Sequence, residues 1–145
     1  MTDVPATRIS YTVKRLESAV RARLDVICRQ YGVTTTQYTV LSVLRVLPGL
    51  SSAQLAVRSF VSPQSANQMV AALESAELIK RAPDEVNHRI LRANLTPRGQ
   101  RILEACDSAV HDLETRMFAG LSDSDLTRLR HALNQCIQNL SGAIH

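Results

Sequence analysis

The chain has 145 residues, of which 45% are hydrophobic and 3% aromatic, and it contains no Trp. This length suits one compact protomer, and a core of Leu, Val, Ile and Ala favours packed helices over a β-sandwich. The formal charge of +4 and the pI of about 9.3 favour a polyanionic partner. Because the N-terminal MTDVPATRIS has no apolar signal region and no apolar run approaches a membrane span, we expect a cytoplasmic protein.

Two helices are predicted at the start of the chain. Residues 6–30 are predicted to be helical because apolar side chains recur every three or four positions. This stripe consists of Ile9, Val13, Leu16, Val20, Leu24 and Ile27. Gly32 is a natural stop, and Thr34 with Gln37 predicts a capping box at the next helix. That second helix is apolar on almost every side before Pro48-Gly49 ends it, so we expect it to be deeply buried.

The next segment predicts two helices joined by a turn. Ser51 with Gln54 repeats the capping signal and begins a short helix to about Arg58. Phe60-Val61 forms an apolar turn, and Ser62 caps a fourth helix with Pro63 in its first position. The side chains predicted to be buried on that helix are Ala66, Met69, Val70 and Leu73. Those predicted to face outward are Gln64, Ser65, Asn67 and Gln68.

A hairpin and two more helices complete the prediction. Strand-like runs at Leu78–Arg81 and Ile90–Leu95 flank a polar turn at Asp84–His88. Thr96-Pro97 begins a fifth helix that Gly120 ends, and Ser122 with Asp125 predicts a capping box at a sixth. The predicted fold is therefore mainly α with a small β-wing, a winged helix-turn-helix with additional helices at both ends of the chain.

The first, fifth and sixth helices carry long apolar stripes that a winged unit of this size cannot cover. Stripes left over in a small chain are usually covered by a second copy, so we predict a homodimer. An intramolecular bundle is the alternative.

In this order, the segments QYTVLSVL, SSAQLAVRSFVSPQSANQMVAALESAELIKR and DEVNHRILRANLTPRG resemble the MarR family (multiple antibiotic resistance regulators) of bacterial transcriptional regulators. The resemblance covers about residues 6–141. It implies a symmetric homodimer in which 6–32 and 97–141 form the helical dimerisation region and 33–96 the winged DNA-binding region. It also implies a palindromic double-stranded operator, with the fourth helix in the major groove and the wing in the minor groove. Many members are repressors that release DNA when a small phenolic or anionic molecule binds, and others respond to cysteine oxidation.

The predicted DNA-binding residues lie on the helix-turn-helix and the wing. They are Arg58, Ser62, Pro63, Gln64, Ser65, Asn67, Gln68, Arg81, Asn87, His88 and Arg89. Gln and Asn can read adenine edges, and Arg89 is suited to a narrow minor groove. Phosphate anchoring is expected from Arg58, Arg81, Arg89, Arg92 or backbone N–H groups. The chain departs from the family where wings commonly carry Asp-x-Arg, because Asn87 here replaces the acid before Arg89.

An effector site is predicted less sharply than the DNA-binding surface. Tyr11 and Tyr38 with Arg15 are suited to a small aromatic or anionic effector, although Tyr38 is equally suited to the core. Cys28, Cys106 and Cys136 lie at or beside apolar stripes, so we expect buried, inert thiols rather than redox sensors. The scattered His and Cys residues predict neither a metal site nor a cofactor.

The sequence leaves one alternative function open and gives no support to an enzyme. A winged-helix protein-interaction module without specific DNA binding is the alternative, because the exposed face of the fourth helix is uncharged. An enzyme is not indicated, because no nucleophile–base pair, phosphate loop or paired carboxylates stand out.

Overall fold

The computed structural model describes residues 8–59 and 61–141. Its elements are α1 (Ile9–Gln30), α2 (Thr35–Val46), α3 (Ser52–Arg58), α4 (Pro63–Ser75), β1 (Ile79–Pro83), β2 (Leu91–Leu95), α5 (Pro97–Met117) and α6 (Asp123–Ser141). The predicted class, mainly α with a small β-wing, is confirmed. The described residues up to Val110 form one unit, and those from His111 form a second. The predicted helix start at residue 6, and Phe60 in the predicted turn, lie outside the described residues.

The helix starts carry the caps that the sequence predicts. The Thr34 hydroxyl accepts a hydrogen bond from the Gln37 N–H at 3.1 Å, and the Thr34 N–H donates to Gln37 Oε1 at 3.0 Å. The same reciprocal pairs form between Ser51 and Gln54 and between Ser122 and Asp125. Because each cap satisfies backbone N–H groups that the helix leaves unpaired, it contributes about 1 kcal/mol.

The core of the first unit takes residues from its helices and from both strands. Its largest fully buried side chains include Leu41, Leu44, Leu55, Leu73 and Leu103. Burying a leucine contributes about 1.5–3 kcal/mol. These residues therefore stabilise the packing of α3 and α4 against α2 and α5. The prediction that the whole second helix is deeply buried is wrong at its end. Val46 is 74% exposed, because only the sides of α2 that meet another element are covered.

The wing is the antiparallel pair β1–β2, in register from Ile79 opposite Leu95 to Pro83 opposite Leu91. The strands are confirmed, and each of their bounds lies within two residues of the prediction. At its base, the Ala93 N–H donates to the carbonyl oxygen of Leu50 at 2.9 Å, and the Gly49 N–H donates to that of Ala93 at 3.0 Å. The wing is thereby attached to the segment that precedes α3.

A threonine and a glycine join the hairpin to α5. The Thr96 hydroxyl accepts from the Gly99 N–H at 3.0 Å and donates to the carbonyl oxygen of Glu77 at 2.6 Å. The Thr96 N–H donates to the carbonyl oxygen of Leu78 at 3.1 Å. A Cβ added at Gly99 would lie 2.0 Å from that same Leu78 oxygen. The cap predicted at Thr96 is confirmed, and the junction requires glycine.

The first helix leaves most of its apolar stripe uncovered within the protomer. Ile9, Val13 and Leu16 are all exposed, and Ile9 reaches 82%. Towards the other end, Val20 and Leu24 are half-buried and Cys28 is fully buried. Only the C-terminal part of α1 therefore joins the core of its unit.

In the second unit, α6 contributes no buried side chain. Leu133, Ile137 and Leu140 are 41%, 59% and 75% exposed, and Cys136 is exposed as well. The expectation of a buried thiol is thus wrong for Cys136, because no described element covers this side of α6. The C-terminal end of α5 and the helix α6 line a cavity of about 420 Å³ that is open to solvent. Its lining residues are Glu114, Phe118, Leu126, Leu129, Arg130, Leu133, Asn134 and Ile137.

Candidate nucleic-acid interface

The fourth helix presents a polar face to solvent. Its buried stripe is Ala66, Val70 and Leu73, which anchors one side in the first unit. The residues predicted to contact DNA on this helix and its N-cap are all exposed. They are Ser62, Pro63, Gln64, Ser65, Asn67 and Gln68. Because opposite faces of a helix point in opposite directions, the same packing that buries the apolar stripe fixes the outward direction of the polar face.

The first turn of α4 is held by its cap. The Ser62 hydroxyl accepts a hydrogen bond from the Ser65 N–H at 3.1 Å and donates to the Ser65 hydroxyl at 2.9 Å. Pro63 occupies the first turn, where its missing N–H leaves no bond unmade. Ser62 thus has the capping role that the sequence predicts.

An ion pair at the other end of α4 engages Arg81. Its guanidinium donates to both carboxylate oxygens of Glu74, from Nε at 3.2 Å and from Nη2 at 3.1 Å. The Arg81 backbone N–H adds a third bond to Glu74 at 3.2 Å. The guanidinium holds the pKa of the Glu74 carboxyl below its ordinary value. Arg81 therefore links β1 to α4. The Glu74 carboxylate already balances the charge that was predicted to anchor a phosphate.

The wing turn is organised by Asp84, which sequence reasoning did not single out. Its carboxylate accepts from the backbone N–H groups of Val86 at 3.1 Å and Asn87 at 2.8 Å, and from Arg92 Nε at 2.6 Å. The pKa of Asp84 is held below its ordinary value. The hydrogen bond from the Asn87 N–H has the largest effect, and the hydrogen bond from the Arg92 guanidinium has the second largest. Arg92 also donates to the carbonyl oxygen of Gly49 at 2.9 Å. An Asp shortly before a turn is the signal that could have identified this role.

The tip of the wing carries exposed side chains on an ordered backbone. The Asn87 side-chain oxygen accepts from the Arg89 backbone N–H at 3.2 Å, so the amide orients the main chain rather than the guanidinium. His88 and Arg89 are exposed, and Val86 is 93% exposed. Arg58, at the end of α3, is exposed as well. Within residues 8–59 and 61–141, neither Arg58 nor Arg89 forms a side-chain ion pair.

The residues predicted for an effector differ in their surroundings. Tyr11 and Arg15 are exposed neighbours on the same face of α1. The Tyr38 hydroxyl instead donates to Asp107 of α5 at 2.6 Å, and Arg45 forms an ion pair with the other oxygen of that carboxylate. Burial, followed by this carboxylate, raises the pKa of Tyr38. Asp107 and Arg45 had no signal in the sequence, because their partners lie 69 and 62 positions away.

Two of the three thiols are buried as expected. Cys28 and Cys106 are 0% exposed, and burial raises the pKa of Cys28 and raises that of Cys106 to about 11. Since the thiolate is the reactive form, these thiols are poor nucleophiles at neutral pH.

The described part of the chain shows no group of three or more His, Cys, Asp or Glu side chains placed to hold a metal ion. Among its helices, none has the length and hydropathy needed to cross a membrane.

An exposed polar helix above an ordered wing defines a winged helix-turn-helix DNA-binding regulator. Residues 31–90 match the model of the MarR family. The HTH-type transcriptional repressor Rv2887 of Mycobacterium tuberculosis is 30% identical over 114 residues, which cover 79% of this chain and 82% of that protein. The chain therefore belongs to the MarR family of transcriptional regulators, as its sequence predicts.

Solved structures share the fold. A MarR family regulator from Silicibacter pomeroyi is 22% identical, with a TM-score of 0.81 over 94% of this chain and 91% of its own. CouR from Rhodococcus jostii, solved bound to p-coumaroyl-CoA, is 20% identical, with a TM-score of 0.81 over 93% and 95%.

Proposed function

We propose that the chain is a homodimeric repressor that binds a palindromic operator in the cytoplasm and releases it when a small molecule binds. The observation that carries this proposal is the exposed polar face of α4, fixed in direction by a buried stripe and flanked by an ordered wing. Membership of a family of transcriptional regulators supports it, and the relative Rv2887 is named a repressor.

In this proposal α4 enters the major groove and Arg89 of the wing enters the adjacent minor groove. Arg58 and His88 contact phosphates. Because Arg81 and Arg92 are paired with acidic side chains, they position the wing and contribute little to phosphate binding. Among the described residues of this surface, each protomer has two arginines without an ion pair, Arg58 and Arg89. A dimer then neutralises roughly four phosphates, which gives a slope of log K against log salt of about −3.6.

Residues 6–32 and 97–141 are proposed as the dimerisation region, and residues 33–96 as the DNA-binding region. The support is the uncovered apolar surface on the two terminal helices, where Ile9 of α1 and Leu140 of α6 are among the most exposed apolar side chains. Surfaces of this kind are usually buried in an interface. A two-fold dimer presents two recognition helices, and the operator then has matching two-fold symmetry.

DNA binding is tested by fluorescence anisotropy with the duplex upstream of the protein's own gene and with duplexes selected from a random pool, beside a scrambled duplex. We expect specific binding that weakens about 100-fold between 50 and 200 mM salt, following the slope above. Arg89→Ala is expected to flatten the slope, whereas Arg29→Ala, an exposed arginine on α1, is not. Equal, weak binding to all duplexes would favour the alternative of a protein-interaction module, which the uncharged face of α4 supports.

Dimerisation is tested by sedimentation over a range of protein concentrations. Ile137→Glu places a charge in the apolar stripe of α6 and is expected to give monomers that lose operator binding. Gln138→Glu adds the same charge beside it and is the matched control. A monomeric wild-type protein at micromolar concentration would refute the dimer.

An effector is proposed to be a small aromatic or anionic molecule bound near Tyr11, Arg15 and Tyr38. The support is the pairing of a cation with an aromatic ring on one face of α1, and the p-coumaroyl-CoA bound by the similar fold of CouR. Addition of p-coumaroyl-CoA to the operator complex is expected to lower anisotropy, with coenzyme A alone as the control. Undiminished DNA binding at saturating ligand would remove this class of effector.

A further inference from the structure

We infer that the operator half-site beneath α4 is composed of A·T pairs, with Gln64 and Gln68 reading adenines and Ala71 contacting a thymine methyl. This inference rests on the proposed DNA-binding function, and it names the base pairs that the recognition helix selects.

A single line of side chains runs along the solvent side of α4. Gln64, Gln68, Ala71 and Ser75 are spaced by four, three and four positions, and all four are exposed. With 3.6 residues per turn, this spacing places them in one row, opposite the buried side chains of Ala66, Val70 and Leu73. We call this row the outer ridge of α4. It is the part of the helix that would lie deepest in a groove.

The two glutamines of the outer ridge are available for base readout. Gln37 and Gln54 use their side-chain oxygens to close capping boxes. In the part of the chain that the structure describes, Gln64 and Gln68 form no side-chain hydrogen bond. A glutamine amide offers one donor and one acceptor, which match N7 and N6–H of adenine in the major groove. The glutamines lie about 6 Å apart along the helix axis, so they address different base pairs.

Ala71 continues the outer ridge one turn further. Its methyl group is exposed although it belongs to a helix that presents mainly polar atoms there. In the major groove the apolar feature is the C5-methyl group of thymine, and alanine is among the side chains that contact it. The apolar and the amide side chains of the ridge thus select the same kind of base pair.

The side chains that most often contact guanine are missing from this helix. The commonest specific contact of guanine is with Arg or Lys, and Pro63–Ser75 contains neither. The basic side chain that packs on α4 is Arg81, which Glu74 holds by both oxygens. Glu74 lies ten positions after Gln64, about 15 Å along the helix axis. Arg81 therefore cannot reach the bases that the first turn addresses.

The test begins with selection of duplexes from a random pool by the full-length protein. Each adenine of the selected half-site is then replaced by 7-deazaadenine, which removes N7, and each thymine by deoxyuridine, which removes the methyl group. Dissociation constants are measured by anisotropy for the wild type and for Gln64→Ala, Gln68→Ala, Ala71→Ser and the control Gln30→Ala. The modified duplexes change the DNA alone, so their result does not depend on how a variant folds.

We expect A·T pairs at neighbouring positions of each half-site. 7-Deazaadenine at two of them should weaken wild-type binding about 5- to 150-fold, the range for a buried amide donor left without its acceptor. One of these losses should vanish in Gln64→Ala and the other in Gln68→Ala. Removal of a thymine methyl should weaken binding about four-fold in the wild type and not in Ala71→Ser. In the control Gln30→Ala, each modified base should weaken binding as much as it does in the wild type.

Selection of G·C pairs at these positions would overturn the inference and leave specific DNA binding standing. So would 7-deazaadenine losses that persist in both glutamine variants. A pool without any enrichment would overturn the inference together with the proposed function on which it rests.

Discussion

Replacement of Gly99 by alanine is expected to destabilise the protein, although alanine is the better helix former. The new Cβ would lie 2.0 Å from the carbonyl oxygen of Leu78 and 2.9 Å from its carbonyl carbon. To reach 3.0 Å, the start of α5 and the segment before β1 must separate by about 1 Å. The bond from the Thr96 N–H to Leu78, now 3.1 Å, would then exceed hydrogen-bonding distance.

The magnitude follows from opposing contributions. Overpacking costs about 1–3 kcal/mol and each lost hydrogen bond about 1 kcal/mol, whereas the helix propensity of alanine offsets about 1 kcal/mol. The net loss for Gly99→Ala is about 1–3 kcal/mol, a fall in Tm of roughly 3–12 °C for a chain of this size. Thermal unfolding followed by circular dichroism at one protein concentration measures it. Arg98→Ala, exposed in the same turn, should shift Tm by no more than about 2 °C. An unchanged or raised Tm for Gly99→Ala would refute the reasoning, since helix propensity alone predicts that sign.

Three further outcomes are expected. Tyr38→Phe removes the hydroxyl that donates to Asp107 and should destabilise the protein by about 1–2 kcal/mol in urea unfolding, with no loss indicating that water replaces the bond. Asp84→Asn weakens the hold on Arg92 and on the wing turn, so operator affinity should fall about 3- to 10-fold; an equal fall for scrambled duplexes would contradict a role in wing positioning. Because the N–H of Asn87 and the Arg92 guanidinium lower the folded pKa of Asp84, its contribution to stability is present above about pH 5 and is lost as pH falls through the folded value. The urea midpoint should therefore fall less steeply between pH 6 and pH 3 in Asp84→Asn than in the wild type, and parallel curves would rule out this linkage.

Local signals predicted most of the secondary structure. The capping boxes at Thr34 and Ser51, the Ser62-Pro63 start of α4 and the Thr96 cap are confirmed, because a cap and its partner lie within one helical turn. The buried and exposed sides of α4 were also predictable, since the helical spacing of its apolar residues is enough to separate them. These features, taken in order along the chain, were sufficient to indicate the family.

Contacts between residues more than one helical turn apart decided the rest. The sequence presents Arg81 as a free charge beside the DNA-binding helix, and only the fold brings Glu74 against its guanidinium. The partner of the Tyr38 hydroxyl, Asp107, lies 69 positions away, so no local signal in the sequence pointed to it. In the same way, exposure of Cys136 depends on which elements cover α6, which its own periodicity cannot tell. The sequence by itself determined which elements form and which face of each is apolar, because those properties depend on neighbours within a few positions. The tertiary structure decided which charges remain unpaired for a ligand, because charge pairing depends on distances that the chain sets only once it is folded.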